Sequence, residues 1–390
     1  MESFCSCFAY PIRAHSCSFV VQIPILILMK RLRRILFPLF FSLLLSFVLL
    51  EAGLALLCKT GRLKISKPSY SLNNVFSRYW ADLNPDFGVW HEPYSTYKHI
   101  SPCFNLTYRA NSYGARDRER QPAANGKPRV LVLGDSFMEG YGIAGSDRLS
   151  DRLEKLTGIE HLNFGTSGAF GPTQYLQLYK SLASRFEHNA ILIALLPDND
   201  FLDDDYEYGL KTHQGRLRPY YIGESPNYEL TKTPARNPNT PARYLENLLR
   251  QFTYAGNLVK YLKSLRRHRE AGTRENYAGY FDYTPAQWDR LKYVLEQFRA
   301  AAPDKKIVVL TIPCDTDILC VEKTGEPPLP RQLNELCRSL NMTYLDLLPP
   351  IRSAPNGWPA CYLACDRHWS AYGNEIAAGA LYNYSAKSLF

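Results

Sequence analysis

Residues 129–142, RVLVLGDSFMEGYG, set the reading of the whole chain. The run RVLVL is apolar and valine-rich and ends at Gly134, which predicts a buried strand over 129–133 feeding a strand-to-helix turn. Ser136 then stands at the start of a helix, where backbone N–H groups face an incoming carbonyl oxygen and favour the oxyanion formed when it is attacked. Gly-Asp-Ser is equally good turn and N-cap chemistry, so the tripeptide alone does not decide between a nucleophile and a structural turn.

Three further strings bear on it. His161-Leu162-Asn163-Phe164-Gly165-Thr166-Ser167-Gly168 reads as a second short strand running into glycines, and Gly168 offers a backbone N–H to the same oxyanion. Residues 191–196 (ILIALL) form a third buried strand, and the Pro197-Asp198-Asn199-Asp200 exit presents the Asn199 amide as a third oxyanion donor. Near the end of the chain, Asp366-Arg367-His368-Trp369 supplies a base. His368 would take the Ser136 proton, while Asp366 would fix the imidazole tautomer and stabilise its cation. Asp200, next to Asn199, reads as structural.

Nucleophile after the first strand, glycine after the second, asparagine after the third and Asp-x-His before the last helix is the block order of the SGNH, or GDSL-type, hydrolases, and from about residue 129 onward the chain resembles that family. The resemblance implies a flavodoxin-like three-layer α/β/α SGNH hydrolase fold around a parallel sheet. It also implies ester hydrolysis or acyl transfer through a covalent acyl-serine, with Ser136, Gly168 and Asn199 as oxyanion donors, and no cofactor and no metal. Two positions depart from the family pattern. Pro-Asp-Asn-Asp replaces the usual Gly-x-Asn-Asp, and Cys365 stands three before His368, where the family carries its Asp, leaving Asp366 two before it. Asp-x-His-Trp spacing is similar to that of cell-envelope proteins related to the alginate O-acetyltransferases, which sets acyl transfer to a polysaccharide beside hydrolysis. A non-catalytic envelope binding protein is the third reading.

With 390 residues and 46% apolar composition, the chain can bury one large core or two modest ones. Residues 35–57 carry one charge, Glu51, and are long enough to cross a bilayer as a helix. Lys30, Arg31, Arg33 and Arg34 precede them, which predicts a cytoplasmic N-terminus and a catalytic domain on the periplasmic or extracellular side. An uncleaved anchor fits better than a signal peptide, because the apolar run is long and no small-x-small site follows it. The expected organisation is a cytoplasmic leader (1–34), whose residues 1–28 contain no recognisable element and fit an upstream mis-start before Met29. A transmembrane helix (35–57), a wrap packed on the domain (59–128) and the hydrolase domain (129–390) with an insertion over 201–283 follow.

The six cysteines beyond the membrane, Cys103, Cys314, Cys320, Cys337, Cys361 and Cys365, are even in number and suit an oxidising compartment. The close spacings suggest Cys314–Cys320 and Cys361–Cys365 as local bridges, although spacing does not fix connectivity. Zinc is disfavoured, since no paired Cys-x-x-Cys occurs. The net charge of +9 reflects the membrane flank and a cluster of Lys260, Lys263, Arg266, Arg267, Arg269 and Arg274. That cluster reads as a solvated helix face, an anionic lipid contact or an acidic polysaccharide contact. Nucleic acid does not fit an exported domain. The partners expected are an ester-bearing small molecule or carbohydrate, the membrane through 35–57, and a membrane acyl donor if the protein is a transferase.

Strand and helix alternate after residue 129: helices near 147–157, 172–185, 285–301 and 372–385, and further strands over 307–311 and 342–345. In the insertion a helix is expected near 241–269. Tyr206, Tyr208, Tyr220 and Tyr221 are candidates to stack on sugar faces and Asp203, Asp204 and Asp205 to bind hydroxyls, against the alternative of a packed cap.

Overall fold

The computed structural model of the protein describes residues 19–237, 239–272 and 277–385. Cys5, Cys7, Cys17 and Arg274 lie outside the described residues. Residues up to Leu56 and from Leu57 onward form two separate units.

The first unit is dominated by one helix, Phe19–Lys59. Its stretch Met29–Lys59 has a mean hydropathy of 2.3 over its most apolar window and is long and apolar enough to span a bilayer. The helix begins at Phe19, so part of the leader expected to hold no element is helical.

The second unit is built on a five-stranded parallel sheet: β1 (Arg129–Leu133), β2 (Glu160–Asn163), β3 (Ala190–Leu195), β4 (Lys306–Thr311) and β5 (Thr343–Asp346), in the order β5-β4-β3-β1-β2. This is the flavodoxin-like order, with its switch point between β1 and β3. Right-handed crossovers place the helix from β1 to β2 (Leu149–Thr157) on one face and the helices leading on to β3, β4 and β5 on the other. The packing agrees: Leu149–Thr157 packs on the C-terminal helix Ala371–Ser385, and Pro172–Ser181 packs on Pro285–Ala301. Central strands covered on both faces must be apolar throughout, and β1 and β3 are buried at every position.

Two antiparallel hairpins precede β1: Ala81–Asn84 with Gly88–Trp90, and Thr96–Ser101 with Phe104–Arg109. The insertion holds helices Pro197–Asp203 and Tyr206–Thr212, a hairpin of Arg218–Glu224 with Asn227–Thr233, and two helices in place of the single one expected near 241–269. Pro241–Phe252 ends at Thr253, whose backbone is extended (φ −136°, ψ 144°) and whose hydroxyl caps the next helix, Tyr254–Glu270, by accepting from the Gly256 N–H.

The expected local bridges do not form. Cys365 is joined to Cys103 across 262 residues, while Cys314, Cys320, Cys337 and Cys361 are free thiols. Cys314 is the N-cap of helix Asp315–Thr324 and Cys320 lies within that helix, while Cys361 is buried and Cys365 is bonded instead to Cys103, at the turn of the Thr96–Arg109 hairpin.

Candidate active site

Ser136 opens a short helix, Ser136–Glu139, at the C-terminal end of β1. Asp135 caps it, its carboxylate accepting from the Phe137 N–H at 2.9 Å. Burial pushes the Asp135 carboxyl up to about 6, against the pull of that N–H and of His368, Asn199 also drawing it down from close by. The strand after the nucleophile passes very near: a Cβ on Gly165 would lie 2.4 Å from the Glu139 nitrogen, so only glycine fits there.

His368 comes from the loop between the short helix Trp358–Cys361 and the C-terminal helix. Its Nε2 lies 2.7 Å from Ser136 Oγ. Its Nδ1 is hydrogen-bonded to Asp366 Oδ1. Burial alone would raise the Asp366 carboxyl, but its hydrogen bond to His368 and the electrostatic pull of that ring outweigh it and hold it below its ordinary value. The imidazole is clamped between rings, with Tyr141 stacked at 4.2 Å and Phe137 at 4.9 Å. Ser136, His368 and Asp366 therefore lie in one hydrogen-bonded chain, and Cys365, next to Asp366, is committed to its disulfide with Cys103.

Asn199 sits near the start of helix Pro197–Asp203, beside Asp135, with its side-chain oxygen buried and without a hydrogen-bond partner among the described residues. Gly168 lies on the loop after β2 with φ +114°, a conformation that suits glycine. Asp200 accepts from the Leu196 N–H and the Tyr175 hydroxyl at 2.8 Å each and is buried.

Several residues that hold this arrangement escaped the sequence reading. Glu139 is fully buried, accepts from Ser167 N–H at 2.5 Å and from the Trp80 indole at 3.1 Å, and lies 3.3 Å from His91 Nε2. Burial would raise its carboxyl, but His91, Arg116 and the Ser167 N–H bring it down to about 2. It thus anchors the Ser167–Gly168 loop to the nucleophile helix. Arg116 donates to the Glu139 and Ile143 carbonyls at 2.9 and 2.7 Å and lies 3.7 Å over the Tyr108 ring. Arg367 ties the histidine loop to two other elements through Asp315 at 2.7 Å and Asp198 at 3.2 Å, and Asp198 is the neighbour of Asn199. A carboxylate three residues after Ser136, on a helix with no water-facing side, was the available signal for Glu139; nothing in the sequence pointed to the partners of Arg367.

The tyrosines and aspartates proposed to meet a sugar are mostly consumed by packing. Tyr220, Tyr221, Asp203 and Asp204 are buried, Asp203 bonds His213, Asp204 bonds Thr173, and the Tyr208 hydroxyl meets His268. The packed-cap alternative describes this part of the insertion.

No protein-family model and no curated protein matches the chain. Solved structures are similar to it. A member of the lipolytic G-D-S-L family from Veillonella parvula overlaps 67% of this chain and 99% of its own, at 9% identity and a TM-score of 0.35. A GDSL-like lipase from Bacteroides thetaiotaomicron overlaps 69% and 93%, at 12% identity and 0.34. A lipase/acylhydrolase from Enterococcus faecalis overlaps 66% and 94%, at 14% identity and 0.31. Overlaps this loose carry no argument of their own, so the fold rests on strand order and register and the chemistry on the geometry around Ser136.

Proposed function

We propose that the protein is a serine esterase of SGNH type that hydrolyses small acyl esters, acetyl esters foremost, from a domain anchored by its N-terminal helix. The observation that carries this reading is the 2.7 Å contact of His368 Nε2 with Ser136 Oγ, with Asp366 fixed on the opposite ring nitrogen. In the first step Ser136 Oγ bonds to the ester carbonyl carbon while its proton passes to His368. The carbonyl oxygen, now an anion, is met by the N–H groups of Ser136 and Gly168 and by the Asn199 amide. The C–O bond to the alcohol then breaks, His368 returns the proton to the departing oxygen, and the acyl group stays on Ser136. Water repeats the sequence and releases the acid. The basic residues Lys30, Arg31, Arg33 and Arg34 before the apolar helix favour a catalytic domain outside the cytoplasm.

A second reading, transfer of the same acyl group to a carbohydrate hydroxyl, is favoured by one feature: a cavity of about 340 Å³, lined by Tyr141 and Gly168 though not by Ser136 itself, large enough to seat an acceptor. The test for both is incubation of the full-length protein, in detergent, with p-nitrophenyl acetate, followed by intact mass and by nitrophenol release. Wild type is expected to gain one acetyl group, and Ser136→Ala none, with turnover down on the order of a millionfold. An unlabelled wild-type protein that releases no nitrophenol would sink the acyl-serine reading, and acetate moving to an added oligosaccharide would select the transferase.

A further inference from the structure

The cavity that reaches the Gly168 loop is built mostly from segments outside the four motifs. Its walls come chiefly from residues 66–100 and 216–260. Tyr141 and Gly168 also line it, and Tyr141 is the ring stacked on His368, so the cavity abuts the catalytic groups. Six basic residues face it, Lys67, Lys98, Arg216, Arg243, Arg250 and Lys260, the last held by burial down to about 7, and no aspartate or glutamate does so among the described residues.

So much like charge in one concavity opposes folding unless it serves a counter-charge. Arg216 has one partner, Asp82 at 3.0 Å, yet one of its terminal nitrogens is buried without a hydrogen-bond acceptor, as is Nε of Arg250. Buried guanidinium N–H groups left unpaired keep their desolvation cost until an acceptor arrives, and a carboxylate or phosphate satisfies them with two parallel bonds. The unpaired nitrogen belongs to the arginine that lies 3.8 Å from the Cβ position of Gly168, the loop expected to face the reacting oxyanion. Trp80 and Tyr97, both half-buried in the same lining, add flat aromatic faces of the kind that stack on a pyranose ring.

We propose that this cavity binds the substrate and that the substrate is an acylated carbohydrate bearing an anionic group, a carboxylate or a phosphate. The anion meets Arg216 and Arg250, the sugar ring lies against Trp80 and Tyr97, and the ester reaches Ser136 past Tyr141 and Gly168. This inference rests on the acyl-serine reading for its chemistry but stands separately as a statement about binding.

The test is calorimetric titration of the full-length protein, in detergent, with trigalacturonic acid, with glucose 6-phosphate and with neutral maltotriose. The acid or the phosphate is expected to bind, more tightly at low salt, and the one that does identifies the anion; maltotriose is expected not to bind. In the double variant R243Q/R250Q the anion should bind at least tenfold more weakly, and Lys98→Gln, on an exposed strand position, provides the same comparison if the double variant does not fold. Binding of maltotriose as tight as that of the anions, no binding of either anion, or undiminished binding by the variants would overturn the proposal. Acetylation of Ser136 by p-nitrophenyl acetate, followed in the same preparation, separates the two readings. Anion binding without acetylation removes the esterase assignment and leaves the cavity assignment standing, whereas acetylation without anion selectivity does the reverse.

Discussion

Ser136 and His368 meet at 2.7 Å, yet the segments that deliver them are held in opposite ways. The Ser136 turn follows directly from a central strand, is capped by the residue before it and closes through backbone bonds such as Gly140 N–H to the Ser136 carbonyl. The Asp366–His368 loop is a small turn of its own, closed by a Tyr362–Trp369 bridge and by Leu363 N–H donating to the His368 carbonyl at 2.8 Å, but no strand of the main sheet carries it. It is held from outside, by the Cys103 disulfide, by Arg367 reaching Asp198 and Asp315, and by Trp369 buried against Phe137. Ser136, built onto the end of a central strand, is in place as soon as the sheet folds. His368, whose loop depends on distant anchors, is in place only when the whole domain is assembled, and that makes the histidine loop the sensitive half of the site.

The contrast can be broken at three places. The largest effect is expected at the base itself: Asp366→Asn keeps the size of the side chain but favours the wrong imidazole tautomer, and turnover should fall about ten-thousandfold with little change in thermal stability. Equal activity in that variant would mean that another group orients His368. Next comes the tether. Arg367→Ala removes both ion pairs without touching substrate, and a shift of the imidazole by about 1 Å would lower turnover roughly a hundredfold. Its signature is a drop in kcat with KM nearly unchanged, while the rate in Ser136→Ala stays at the same floor with or without the second change. An unaltered kcat would show that the disulfide and the packing of Trp369 suffice to hold the loop.

The smallest effect concerns pH. Asp317, two residues from the Asp315 partner of Arg367, accepts from the Cys314 and Tyr280 N–H groups, and burial nevertheless pushes its carboxyl up to about 7. It titrates higher in the folded than in the unfolded chain, so the folded state holds the extra proton between the ordinary carboxylate range and about 7. Stability contributed there is present at the acid end and is lost as pH rises through that window. Melting temperatures measured across it should fall with rising pH in the wild type and should change less in Asp317→Asn. An identical slope in both would place the titration elsewhere, with Asp135 and Asp204, both pushed up to about 6 by burial, as the next residues to replace.

The same contrast explains what could be read beforehand. Apolar runs such as 129–133 and 191–196 announce strands because both faces of a central strand must be apolar, and the residues at their exits inherit a fixed place in the fold. Ser136 was legible for that reason, and His368 because the order of the four strings, not its nearness to Asp366 alone, singled it out. Contacts that join remote segments leave no such local trace. The Cys103–Cys365 bond, the Arg367 ion pairs and the anchoring of Ser167 by Glu139 each depend on which loops the topology brings together. The insertion stayed open between a sugar platform and a packed cap for a related reason: whether a tyrosine ring faces a ligand or the core is decided by burial, and Tyr220 and Tyr221 went inside. The cations of the cavity come from stretches far apart in the chain, so their convergence is a property of the fold alone.

Seen as a piece of string, the polypeptide between Cys103 and Cys365 is a closed ring, and nearly the whole of the sheet-bearing unit lies on it. Cutting a ring once does not divide it. A protease that nicks any exposed stretch of the insertion therefore leaves the piece bearing Ser136 and the piece bearing His368 in one covalent molecule until a reductant arrives, still joined at the residue next to Asp366.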